Sequence, residues 1–142
     1  MTRDLEVVEK ERILWKANEE KYKKIYQRHY QIIEKIKFDL YPKTINEKNA
    51  EDKNTFECIK LCYDDLSLAP MMVEYWKKDA EIRKEKYVPL NYCSHKYLIM
   101  LLIKLGQKEE ALKVCNYYIN LGLYNDGTKG GLIARKEKIL KS

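Results

Sequence analysis

Three groups of residues in this chain have the types that can do chemistry. The first is "NDGTKGG", Asn125 to Gly131, which holds three of the five glycines around Lys129. A phosphate-cradling loop needs G-x-x-x-x-G-K-[ST], with a strand before it and a helix after it. Here the lysine precedes the glycine pair and a helical pattern comes first, so the stretch reads as a hinge. In that reading Asp126 or Thr128 caps a final helix and the glycines let it pack closely. The alternative is an anion contact at unpaired amides near the start of that helix. The second group is Cys58 and Cys62, one helical turn apart, which Cys93 and His95 could in principle complete as a tetrahedral metal site. There is no C-x-x-C pair, and thiols on apolar helical faces serve as small core residues. No metal and no cofactor is expected. The third group is His29 and His95, neither of which sits in a recognisable serine or cysteine motif. Asp64 and Asp65 in "YDDL" read as a solvated carboxylate pair at a helix end. Nothing here predicts an enzyme.

The elements that must position these residues follow from composition and period. At 142 residues, 45% hydrophobic and 35% charged, the chain suits one folded domain and is no disordered tail. Its longest apolar run, "YLIMLLI" (Tyr97 to Ile103), is far too short to span a bilayer, so no membrane contact is expected. The N-terminal "MTRDLEVVEKERILWK" has scattered acids and no apolar h-region, which predicts no signal peptide, a cytoplasmic location and reduced cysteines. The net charge of +6 is concentrated at the C-terminal end, where Lys129, Arg135, Lys136, Lys138 and Lys141 face one acid, Glu137. Lysine far outnumbers arginine, and lysine lacks the planar fork that reads base edges.

Helical spacing runs nearly throughout, without strand-like alternation. A long amphipathic helix is predicted over residues 1–41, with the stripe Trp15, Tyr22, Tyr26, Ile33, Ile36 and Leu40. Residues 42–53, with Pro42, read as a linker, and residues 54–142 as the rest of a single helical domain. In that part a second helix is expected over Asn54 to Leu66, burying Phe56, Ile59, Cys62 and Tyr63. Ser67 should cap a third helix that carries Pro70 in its first turn, runs to about Lys86 and buries Met72, Val73, Trp76 and Ala80. Pro89 should open a fourth helix ending at Gly106, and a fifth should end at Gly122. A short sixth should place Leu132, Ile133, Ile139 and Leu140 on one side.

Two of these helix pairs start about 35 residues apart, near the period of known helical repeats. The stretch "LGQKEEALKVCNYYINLG" (Leu105 to Gly122) resembles the turn and second helix of a tetratricopeptide repeat. Gly106 matches the small residue of the tight turn and Ala111 the small residue where paired helices meet. Cys115 and Tyr118 stand where that family usually has an aromatic residue and an alanine. The resemblance covers residues 89–122; the preceding pair has the length but carries Met72 in place of Gly106. It implies an all-α fold of tetratricopeptide-like antiparallel helix pairs behind the long N-terminal helix. It further implies a non-catalytic adaptor or regulatory module that binds a protein or peptide. In the family the first helix of each pair lines the groove, which places Lys96, Met100 and Lys104 there, suited to a peptide with acidic groups and an apolar anchor. The N-terminal stripe could instead form a homodimer. The alternative reading is a nucleic-acid-associated regulatory protein contacting phosphates through Lys129, Arg135, Lys138 and Lys141. A small inhibitor encoded by a mobile element is a third.

Overall fold

The computed structural model describes residues 4–142. Of these 76% are helical, more than twice the globular average of about one-third, and no strand occurs among them. The first helix, α1 (Leu5–Lys35), starts at Asp4, whose carboxylate accepts the Glu6 N–H at 3.0 Å. It continues into a π-helical turn, Ile36–Leu40, and a short last turn, α2 (Tyr41–Lys43). Pro42 gives the widened turn a physical reason, since it has no N–H for the Phe38 carbonyl and its ring crowds that turn. Ile36 and Leu40 stay inside, while Phe38 is 74% exposed.

The next element corrects the expected pair of helices at Asn54–Leu66 and Ser67–Lys86. They are one helix, α3 (Lys53–Arg83), with Pro70 in its interior. A proline there costs about 3 kcal/mol because the carbonyl four residues back loses its donor. That carbonyl belongs to Leu66, and it accepts the Tyr117 hydroxyl at 3.2 Å. Next to it the Asp65 carbonyl accepts the Tyr92 hydroxyl, and the Asp64 carbonyl accepts Ser67 Oγ at 2.6 Å. Three hydroxyls thus satisfy the disturbed turn, and Ser67 braces the helix rather than capping it. The start of α3 is held by Glu47, which accepts the N–H groups of Thr55 and Asn54 at 2.7 and 3.3 Å. Its end is a left-handed Lys84, with Glu85 N–H returning to Ala80 O at 2.9 Å.

α1 and α3 run antiparallel, as the pairings Asn18–Tyr75, Tyr22–Glu74 and His29–Asp65 require. Against the first half of α3 packs α4 (Ser94–Lys104), with α5 (Lys108–Asn120) on α4 and α6 (Gly131–Lys141) on α5. α5 reaches α3 through the Tyr63–Glu110 and Tyr117–Leu66 hydrogen bonds. Pro89 does not open α4. The chain is non-helical until Cys93, whose φ of 72° and ψ of −61° form a γ-turn closed by Ser94 N–H on Tyr92 O at 3.0 Å. That turn breaks any helix arriving from Pro89. Gly106 and Gly122 end α4 and α5 as expected, at φ +77° and +82°.

The core joins Met72 of α3, Leu98 and Leu102 of α4, Ala111 and Tyr118 of α5, and Leu132 of α6. Two expectations fail at its edge. Phe56 is 55% exposed because Thr55 and Cys58 take the inward positions, and Ile133 and Leu140 face outward while Leu132 and Ile139 face in. Ala111 is fully buried in the α4–α5 hairpin. Ala111→Leu is therefore expected to lower stability by about 1–3 kcal/mol through overpacking, read as a shifted denaturant midpoint. The α4–α5 hairpin stands alone, because the stretch before it contains no turn and Met72 lies buried in mid-helix.

Candidate functional site

Asp65 departs most from its expected role. It is not a solvated helix-end carboxylate; it lies in the middle of α3, fully buried. His29 Nδ1 of α1 approaches its two oxygens at 2.7 and 3.0 Å, and Ser94 Oγ donates to Oδ2 at 2.6 Å. A carboxylate only accepts, so the Nδ1 of His29 carries the proton. Tyr92 stacks on the His29 ring, centroids 4.2 Å apart. The residue types are those of a hydrolytic triad, but the wiring differs. There an imidazole stands between acid and hydroxyl and takes the hydroxyl proton. Here the acid stands between, and Ser94 spends its proton on Asp65. With His29, Asp65, Ser94 and Tyr92 all at or below 1% exposure, the cluster is sealed from any substrate. Its geometry fastens α1, α3 and the start of α4 together. Asp64, exposed and 3.8 Å from Arg28, is solvated as expected but lies in mid-helix and not at a helix end.

The other candidate chemistry is equally enclosed. His95 is buried, edge-on to Tyr118, with Nε2 on the Asn125 carbonyl at 3.1 Å. Burial pulls its pKa down to about 4, so the ring is neutral at physiological pH. Cys58 and Cys62 are fully buried in α3. The hydrogen bond with Cys58, together with burial, pushes the Cys62 thiol well up, and burial pushes Cys115 up to about 11. Neutral buried thiols are poor nucleophiles. Among the described residues, no three His, Cys, Asp or Glu side chains are grouped so as to hold a metal ion.

"NDGTKGG" folds as a clamp. Asp126 is buried and accepts the Thr128 N–H at 2.9 Å, the Thr128 hydroxyl and Arg135 Nε. Neither Asp126 nor Thr128 caps α6; Gly130 occupies that position, without a side-chain cap. Gly131, at φ +58°, lies so close to the Tyr124 carbonyl that any Cβ would collide with it. Arg135 is thereby committed to an internal ion pair. Lys129, Lys138 and Lys141 remain exposed around a shallow basin of about 490 Å³.

The expected groove residues are partly engaged by the chain itself. Lys104 Nζ donates to Thr44 O at 2.6 Å, capping α2 from the side, and the Tyr41 hydroxyl points at Met100 Sδ at 3.9 Å. Lys96 is half-buried with its Nζ over the Tyr97 ring. A different face is open. Beyond Tyr22, α1 and the second half of α3 continue as a helical arm, with Tyr87 of the returning segment against Lys77. A trench along this arm, about 530 Å³ with a continuation of about 320 Å³, is lined by Val7, Leu14, Ala17 and Ile82. Charged side chains border it, among them Lys21, Glu74, Lys77 and Lys78. Sequence reading missed it because the aromatic stripe of Trp15 and Tyr22, which faces α3, masked a second stripe. The signal was the spacing of Val7, Leu14, Ile25 and Ile32, in steps of seven and eleven along one helical flank.

No protein-family model, no curated protein and no solved structure matches the chain. Among the described residues no helix is long and apolar enough to cross a membrane.

Proposed function

We propose that the chain is a non-catalytic protein-binding module, an adaptor or regulatory subunit, which docks its partner along the α1–α3 arm. One observation carries the reading. The α1 flank that is 1% exposed at Ile32 is 56% exposed at Leu14, though both residues belong to the same apolar stripe of one helix. An amphipathic stripe is stabilising only when it is covered, and this chain covers only half of it. The sealed state of the Asp65 cluster supports the absence of catalysis in the proposal. The tetratricopeptide-like hairpin α4–α5 then acts as the buttress that holds the arm, with Lys96, Met100 and Lys104 as a secondary contact face.

The second reading, a phosphate contact, has the exposed Lys129, Lys138 and Lys141 around one basin in its favour. Affinity capture from a cytoplasmic extract with mass-spectrometric identification separates the two. Val7→Glu with Leu14→Glu, both at exposed positions, is expected to release the captured proteins without loss of helicity. Lys138→Ala with Lys141→Ala is expected to leave capture unchanged. Undiminished capture by the arm variant removes the arm reading, and nuclease-sensitive capture lost with the lysine variant establishes the second one.

A further inference from the structure

We infer that the occupant of the arm trench is an amphipathic helix of another protein whose apolar stripe is flanked by acidic residues. This rests on the docking role proposed for the arm. Shape is the first argument. The trench runs between two antiparallel helices from Val7 to Tyr22, and the groove between packed helices accepts the ridge of a third. Its floor is apolar and built at helical spacing, the pattern that a helix-in-groove ligand meets with anchors at i, i+3 or i+4, and i+7. From Val7 to Tyr22 the rise is about 23 Å, or roughly four turns of ligand helix.

Charge decides which helix. The acids beside the trench are already engaged. Glu11 lies 3.5 Å from Lys84 and Glu81 lies 3.5 Å from Lys78, while Glu74 accepts the Tyr22 hydroxyl at 3.3 Å. Lys21 on one wall and Lys77 on the other have their ammonium groups over the Tyr22 and Tyr87 rings, at 5.3 and 5.6 Å. The lining of the whole trench holds Lys10, Lys21, Lys77, Lys78 and Lys84 against Glu11, Glu74 and Glu81, a net positive charge. A second copy docking trench to trench would bring these lysines against themselves, and like-charge juxtaposition works against such a pairing. A ligand with glutamate or aspartate beside its apolar stripe complements this excess.

The test uses the full chain and three labelled designed helical peptides of about 18 residues, long enough to fill the trench. Two share a leucine stripe at heptad spacing, flanked by glutamate in one and lysine in the other; the third has the glutamate composition with the leucines scrambled. Fluorescence anisotropy is expected to show the glutamate-flanked peptide binding about tenfold or more tighter than the lysine-flanked one, a difference that shrinks with salt. Leu14→Glu should abolish binding, and Lys21→Glu with Lys77→Glu should reverse the preference, all with unchanged helicity because these side chains are exposed. Equal binding of the two stripes, or of the scrambled peptide, overturns the inference. So does a dimer in sedimentation of the chain alone that Leu14→Glu dissociates, which makes a second copy the occupant. If the arm variant loses captured proteins while the glutamate-flanked peptide shows no preference, the docking role stands and the acidic-helix inference falls.

Discussion

Asp65→Ala is expected to lower the stability of the fold by about 2–6 kcal/mol, the cost of leaving two buried donors without their acceptor. The substitution strands the His29 N–H and the Ser94 hydroxyl, both at or below 1% exposure. It also leaves a void between α1, α3 and the start of α4. A domain of ordinary stability has about 5–15 kcal/mol in total, so the variant should sit near its unfolding threshold at 37 °C. Asp65→Asn keeps an acceptor and should lose less. Equilibrium urea unfolding checks this; an Asp65→Ala midpoint equal to that of the parent chain would show that the cluster contributes nothing net.

Acid should destabilise the protein through His95. Burial lowers the pKa of the folded imidazole to about 4, against an ordinary value of 6.5. The Asp126 carboxylate and the Asn125 carbonyl pull it upward and do not prevail. The unfolded chain therefore binds a proton below about pH 6.5 that the folded chain refuses until about pH 4. This contribution to stability is complete above pH 6.5, falls as the pH drops from 6.5 to 4, and levels off below that. At 1.36 kcal/mol per pKa unit the loss across the window is about 3 kcal/mol. His95→Gln, which retains an amide donor for the Asn125 carbonyl, should flatten the slope in that window. Unfolding midpoints measured between pH 7 and pH 4 for both chains test it, and parallel slopes would refute the assignment to His95.

The local signals in the sequence proved sufficient where the physics is local. Helical period over α1 and the absence of strand-like alternation determined an all-α chain. Gly106 and Gly122 ended their helices because a left-handed cap needs little beyond the residue itself. The thiols of Cys58, Cys62 and Cys115 lie on inward faces as their apolar surroundings implied.

Tertiary structure decided the rest, through partners distant in the chain. Ser67 and Pro70 are genuine boundary signals, and they failed in α3 because Tyr117, about fifty residues on, donates to the carbonyl that Pro70 leaves empty. Asp64 and Asp65 are identical side chains one position apart. Only the arrival of His29 and Ser94 makes one of them a buried anchor and leaves the other in solvent. The same holds for the open trench. A helical flank from Val7 to Ile32 specifies an apolar stripe but not its cover. Which half stays open was set by where α4 and α5 stop along α3, because local spacing fixes the direction of a side chain and not what it meets.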